Sequence, residues 1–189
     1  MPRLWAAIDQ LKHSFKTQHI QLSRKERWIL SNQFEILAKL SPEDADGYHN
    51  MKEIVESGYE WEYDNITDYI YGDEDVMSRK ECFEVLEILN MFDKLNLTYQ
   101  ALPDKSDIEE LQIQFLGFWG NGESKYLNYL RFCVERQEKY VWLIQNDRYD
   151  SHVPILGRYR NMLKEWKNSN NKYNLTKDDV LRIINVEWE

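Results

Sequence analysis

The sequence predicts an all-α protein, a single multihelical bundle domain of about seven to nine helices with little or no sheet. Three observations support this fold class. Apolar residues recur at helical spacing along most of the 189-residue chain. Hydroxyl residues repeatedly stand three positions ahead of an acid, just before an apolar run, and this spacing is typical of a helix start. Strong apolar-polar alternation, which would indicate half-buried strands, is missing from the sequence.

The N-terminal residues predict a basic amphipathic helix. Residues 1–28 contain six Lys or Arg and two acids, so the polar side of this segment is cationic. An apolar stripe on such a helix must be buried on the core, on another subunit or on a partner, so we expect it to form an interface. The stripe consists of Leu4, Trp5, Ile8, Leu11 and Phe15.

Two further helices have start signals close to one another. Ser23 and Glu26 form a capping box that predicts the start of a second helix. Ser41 as N-cap and Pro42 at the first helical position predict a third, which we expect to end at Gly58 in a left-handed conformation. The predicted buried stripe of the second helix is Ile29, Leu30, Phe34, Leu37 and Leu40.

The remainder of the chain continues the helical pattern. Ser78–Glu81 is a capping box ahead of the most regular apolar helix, and Pro103 predicts a break after it. Ser106–Glu109 and Thr176–Asp179 predict two more starts. We also expect a short helix within 59–75, a long helix after Gly122 and another over residues 155–166.

Charge and composition exclude several classes of protein. The net charge of −9 disfavours general binding to nucleic-acid backbones, which need a basic surface. Nine acids and no Lys or Arg lie between Glu53 and Ser78, which indicates either a solvated acidic face or a surface for a basic partner. The chain has neither the long apolar run of a membrane span nor a signal-peptide core, so we expect a cytoplasmic protein with no membrane partner. Cys82 and Cys133 are predicted to be buried reduced thiols.

The usual catalytic and metal-binding motifs are missing from the sequence. It has no G-x-S-x-G elbow, its four histidines are scattered, and neither cysteine belongs to a C-x-x-C pair. We therefore expect no metal and no cofactor. The glycine-rich stretch FLGFWGNGE at residues 115–123 does not fit a phosphate-binding frame. We predict a tight turn there, with positive φ at Asn121–Gly122 and with Glu123 placed against the dipole of the following helix.

Several short patterns together resemble the YfbU family of small bacterial proteins. Their order and spacing match over roughly residues 26–186. They are Leu30–Gln33, Pro42, Tyr48, Glu56–Tyr59, Phe115–Phe118, Tyr126–Phe132, Tyr159–Trp166, Tyr173 and Ile183–Asn185. The resemblance implies an all-helical bacterial cytoplasmic protein and brings no activity and no catalytic residues with it. It also implies that residues 1–22 are an N-terminal extension ahead of a YfbU-like helical domain at 23–189.

Two polar groups are candidates for ligand binding. Arg131 lies in the family-like run beside Tyr126 and Tyr129, and its guanidinium could bind a carboxylate or phosphate; alternatively, it holds helices together through an ion pair or an aromatic stack. Asn32 and Gln33 form a polar patch with Ser31, which could bind either a ligand or a neighbouring loop.

The sequence favours a non-enzymatic interaction or regulatory module that works as a homo-oligomer. The aromatic excess, the missing catalytic motif and the N-terminal stripe all support this interpretation. We expect any protein partner to bind the N-terminal helix or the acidic 53–78 face. One alternative is a nucleic-acid-linked regulator, although the net charge disfavours nucleic acid as a partner. The other is a small hydrolase or ribonuclease that draws on Glu56, Arg131, Arg148 and His152.

Overall fold

The computed structural model describes residues 19–67, 70, 72, 76–145 and 148–187. Its secondary structure confirms the all-α fold class. Within the described residues, the only β-pairing is one isolated parallel bridge between Phe118 and Asp150. Eight α-helices lie in this part of the chain: α1 (Arg24–Leu40), α2 (Ala45–Ser57), α3 (Tyr63–Ile66), α4 (Arg79–Ala101), α5 (Glu110–Ile113), α6 (Ser124–Arg131), α7 (Leu156–Asn168) and α8 (Lys177–Ile184).

The chain divides into two compact units, Met1–Val76 and Met77–Glu189. The N-terminal unit is built on α1 and α2, which pack against each other, followed by the short α3. Its small core brings together one residue of α1, one of α2 and two of α3, because each helix places apolar residues on the side that faces the others. These residues are Phe34, Val55, Tyr63 and Ile66.

Capping explains two of the helix boundaries in this unit. Ser23 Oγ accepts a hydrogen bond from the Glu26 backbone N–H at 3.3 Å, and the Glu26 carboxylate accepts one from the Ser23 N–H at 2.8 Å. Gly58 ends α2 with a φ of 72°, as predicted. The predicted start at Ser41 is wrong in detail. Its side chain makes no capping bond, and Pro42–Asp44 form a 3-10 turn before α2 begins at Ala45.

In the C-terminal unit, α4 is the central element and contacts α5, α6, α7 and α8. The Ser78–Glu81 box at its start and the Thr176–Asp179 box of α8 both form as predicted. Fully buried residues of α4 include Val85, Ile88, Leu89, Met91 and Leu95. Four aromatic rings, Phe92, Phe115, Phe118 and Tyr159, pack beside them with centroid separations of 5.0–5.8 Å.

Two sequence predictions fail in this unit. The Ser106–Glu109 box does not form, because Ser106 lies in a turn where its N–H donates to Asp104, and α5 begins only at Glu110. Cys133 is buried as expected, whereas Cys82 is only half-buried; both are free thiols. Burial raises the pKa of the Cys133 thiol. The first error arises from a competing local hydrogen bond, and the second because tertiary packing decides how deeply Cys82 lies.

The stretch FLGFWGNGE forms a turn, but the residue with positive φ is not the predicted one. Positive φ occurs at Gly117, at 87°, and not at Asn121–Gly122. A Cβ on Gly117 would lie 1.9 Å from the Tyr149 carbonyl oxygen, which accepts the Phe118 N–H at 2.9 Å. The glycine at 122 is required for a different reason, because a Cβ there would lie 2.2 Å from the ring of Trp119.

Glu123 organises this turn through its carboxylate. One oxygen accepts the Trp119 N–H at 2.9 Å, and the other accepts the N–H groups of Ile155 and Leu156 at 3.0 and 2.8 Å. Glu123 precedes α6, as predicted, but its charge lies at the start of α7. The carboxylate therefore caps α7 and joins two segments that are far apart in sequence. None of the helices in the described residues is long and apolar enough to cross a membrane.

Candidate interaction surface

Helix α1 carries apolar residues on two opposite faces. Phe34 and Ala38 are buried in the N-terminal unit together with Ser31. On the other side, Trp28 is 67% exposed, Ile36 57% and Leu40 73%. Ile29, which is 40% exposed, lies in the same arc of roughly 120° at 3.6 residues per turn. We call Trp28, Ile29, Asn32, Ile36 and Leu40 the outer face of α1.

Specific polar contacts hold the inner side of α1 in place. The buried Ser31 donates from its hydroxyl to Glu56 Oε1 at 2.6 Å, and Arg27 donates to the Val55 carbonyl at 3.3 Å. Glu35 is bonded to Lys52 and Lys39, and these two ammonium groups lower the pKa of its carboxyl to about 2. With its inner side fixed in this way, α1 cannot rotate its outer apolar residues into the core of the unit.

The outer face is large enough to indicate a binding surface. Trp28, Ile29, Ile36 and Leu40 together expose roughly 400 Å² of apolar area, which is the size of the largest patch on a typical monomer, and such patches are often functional. The sequence analysis missed Trp28 and Ile36 and assigned Ile29, Leu37 and Leu40 to the buried stripe. Of that predicted stripe only Phe34 is buried, and Leu30 is half-buried. The available signal was that apolar residues of α1 fall on two opposite sides of the helix.

The predicted polar patch divides between the two sides of α1. Ser31 points inward to Glu56, whereas Asn32 and Gln33 are exposed. Asn32 lies on the outer face, one turn from both Trp28 and Ile36. Gln33 lies instead at an apolar groove beside α1. Asn32 is therefore an uncharged polar residue within this surface, and the exposed Lys39, which is bonded to Glu35, lies in the same arc of the helix.

The apolar groove of the N-terminal unit has a volume of about 450 Å³. Its lining comes from Leu30, Phe34 and Leu37 of α1, from Tyr48 and Met51 of α2, and from Ile66 of α3. Ile20 and Leu22, which precede α1 in the chain, also line it.

Asp64 fixes the chain segment that leads to this groove. Its carboxylate accepts the Ile20 backbone N–H at 3.0 Å and is paired with the His19 ring. The hydrogen bond from His19, followed by that from Ile20, holds the pKa of Asp64 below its usual range.

The predicted interface residues Leu4, Trp5, Ile8, Leu11 and Phe15 lie outside the described residues. In the acidic 53–78 segment, Glu53, Glu56 and Glu60 are exposed.

Tyr126, a predicted ligand-binding residue, lies in an internal hydrogen-bond network of the C-terminal unit. Its hydroxyl donates to Glu84 at 2.6 Å and accepts from Arg160 at 3.1 Å. Arg160 also donates to both oxygens of Glu84, at 2.8 and 3.0 Å, and holds the pKa of that carboxyl below its usual range. Burial, aided by the Glu84 carboxylate, raises the pKa of Tyr126 to about 12.

The other two residues of that predicted set have different contacts. The exposed Arg131 guanidinium lies 5.5 Å from the centre of the Tyr149 ring. Tyr129 is half-buried and stacks on Phe132 with 6.2 Å between ring centroids. Burial raises the pKa of Tyr129. The Arg131 contact corresponds to the aromatic-stack alternative.

The structure distributes the candidate hydrolase residues over both units. Glu56 belongs to the N-terminal unit, and Arg131, Arg148 and His152 belong to the C-terminal unit. His152 is exposed beside Asp150, whose carboxylate accepts the His152 N–H at 2.7 Å and the Gly120 N–H at 3.2 Å. These backbone bonds lower the pKa of Asp150. In the described part of the chain, no three His, Cys, Asp or Glu residues cluster as a metal site would require.

A family model described as "YfbU domain" matches residues 20–186. The chain belongs to the YfbU family. Among relatives, this YfbU protein is 32% identical over 168 residues to a UPF0304 protein of Histophilus somni and to one of Mannheimia succiniciproducens. Each of these alignments covers 88% of this chain and 100% of the relative. It is 37% identical over 172 residues to a UPF0304 protein of Methanocaldococcus jannaschii, covering 87% of this chain and 99% of that relative.

Proposed function

We propose that this YfbU domain is a non-enzymatic protein–protein interaction module that works as a homo-oligomer, with the outer face of α1 at the contact between copies. The observation that carries the proposal is the two-sided apolar character of α1. Three large side chains on its outer face, Trp28, Ile36 and Leu40, are each more than half exposed. Exposing them to water is unfavourable, and burial against an identical surface would remove that cost.

A two-fold contact between antiparallel α1 helices fits the residues of the outer face. Asn32 is the middle residue of α1, so it would lie next to its symmetry mate. An amide side chain both donates and accepts hydrogen bonds, so two copies of Asn32 satisfy each other across a two-fold axis. In this arrangement the Trp28 end of one helix packs against the Leu40 end of the other.

Sedimentation equilibrium over a dilution series tests the proposal. We expect a species of twice the 23.0 kDa chain mass at micromolar concentration, dissociating on dilution. A strict monomer up to about 100 μM would contradict the oligomer, because it would place Kd above the range of a specific homodimer.

A further inference from the structure

We propose that the apolar groove of the N-terminal unit is the binding site for residues 1–18 of the same chain, docked as an amphipathic helix. The proposal goes beyond the contact between copies, because it concerns a different surface and an intramolecular occupant. It rests on the lining of the groove, on the position where the described chain begins, and on the charge and spacing of residues 1–18.

The groove suits the apolar side of a helix. Its lining includes aliphatic and aromatic residues from all three helices of the unit, among them Leu30, Phe34, Met51 and Ile66. The stripe from Leu4 to Phe15 is about 17 Å long as a helix, and the groove-lining stretch of α1 from Leu30 to Leu37 is about 11 Å long. A helix that places three or four side chains into an apolar groove is a common recognition mode.

The described chain begins at this groove. Ile20 lines it, and Asp64 fixes Ile20 and His19 through their backbone and ring nitrogens. A segment tethered so close to its site has an effective concentration in the millimolar range, so even weak intrinsic affinity suffices for docking.

The charges of the segment and of the unit are complementary. Residues 1–18 contain Arg3, Lys12 and Lys16 against the single acid Asp9. The unit presents exposed carboxylates at Glu53 on α2 and at Glu60 in the turn that follows. Neither carboxylate lines the groove, so they attract the basic segment to the unit as a whole and disfavour an acidic partner.

Photo-crosslinking in the full chain tests the docking. Benzoylphenylalanine is introduced at Leu11, which keeps the stripe apolar, and the matched control carries it at Gln10 on the opposite side of the predicted helix. Mixing isotope-labelled and unlabelled chains separates crosslinks within a chain from crosslinks between chains. We expect the Leu11 probe to crosslink within the chain to groove residues at least ten times more than the Gln10 probe.

Three results would overturn the proposal: crosslinks outside the groove, equal yields from the two probes, and crosslinks between chains. The same measurement in an Ile36→Glu background distinguishes docking of residues 1–18 from the proposed contact between copies, since the intrachain crosslink should persist there.

Hydrogen exchange adds a second readout. Ile8→Asp/Leu11→Asp should speed exchange at least about tenfold in the peptides around Leu30–Leu37, whereas Gln10→Asp/Thr17→Asp should not; equal exchange in both variants would contradict docking.

Discussion

Ile36→Glu is the substitution expected to weaken the contact between copies most directly. Ile36 lies on the outer face of α1, one turn from Asn32, and 57% of its surface is exposed in the single chain. The substitution removes an apolar side chain from the proposed interface and places a charge near its two-fold axis. Because Ile36 does not belong to the core of the N-terminal unit, folding of the chain should be preserved.

The magnitude follows from the exposed fraction. Full burial of an isoleucine contributes about 1.5–3 kcal/mol, so burial of the exposed 57% contributes about 1–1.7 kcal/mol in each chain. A two-fold contact contains the residue twice, which gives about 2–3 kcal/mol for the dimer and raises Kd by roughly 30- to 150-fold. Desolvation of the two carboxylates and their mutual repulsion make this range a lower bound.

Sedimentation equilibrium of both chains measures the change. Leu97→Glu serves as the matched control, because Leu97 is 53% exposed on α4 and receives the same charge. The control should leave Kd within about twofold of the wild-type value. The reasoning fails if Ile36→Glu dimerises as tightly as wild type while circular dichroism shows both variants folded, or if the two variants weaken association equally.

Three further predictions concern the stability of the chain, measured by urea denaturation. Gly117→Ala should lower the free energy of unfolding by more than about 2 kcal/mol, because its Cβ would overlap the Tyr149 carbonyl at a φ of 87°. Gly47→Ala in the first turn of α2 should instead raise the free energy of unfolding by about 0.5–1 kcal/mol, because its Cβ would have no atom within 4 Å. A similar loss of stability in both variants would refute the steric account. Glu123→Gln should cost about 1–2 kcal/mol, since three backbone N–H groups lose their charged acceptor; no change would show that this cap is dispensable. Glu84→Gln should cost about 1 kcal/mol at pH 7 after screening by solvent. Because the folded-state pKa of Glu84 is lowered, its contribution is present above its ordinary pKa and is lost as the pH falls through the folded-state pKa, so wild type and variant should converge in acid; a gap independent of pH would contradict the assignment.

The sequence located part of the candidate surface but not its outline. It singled out Asn32 and Gln33 as an unusual polar pair in an apolar helix, and both are exposed. It could not decide which of the two apolar sides of α1 is buried, because both carry large apolar residues. The orientation was set by contacts from elsewhere in the chain, such as the bond from Ser31 to Glu56.

The binding hypothesis for Tyr126 illustrates the same limit. Its aromatic neighbours and Arg131 suggested one site, but the Tyr126 hydroxyl bonds to Glu84 and Arg160, which are 42 and 34 residues away in sequence. Pairings at such separations leave no local pattern in a single sequence, since they depend on which helices pack together.

The sequence by itself determined the all-α class, most helix starts and the family. These features depend on periodicity and on capping bonds across three residues, such as Ser78 to Glu81, which act within one turn of the chain. Tertiary structure alone decided that Gly117 and not Gly122 takes the strained conformation, that Glu123 caps a distant helix, and that Trp28 and Ile36 face outward. The physical reason is distance along the chain: helix formation is a local equilibrium, whereas burial and capping between segments depend on which residues the packed fold brings together.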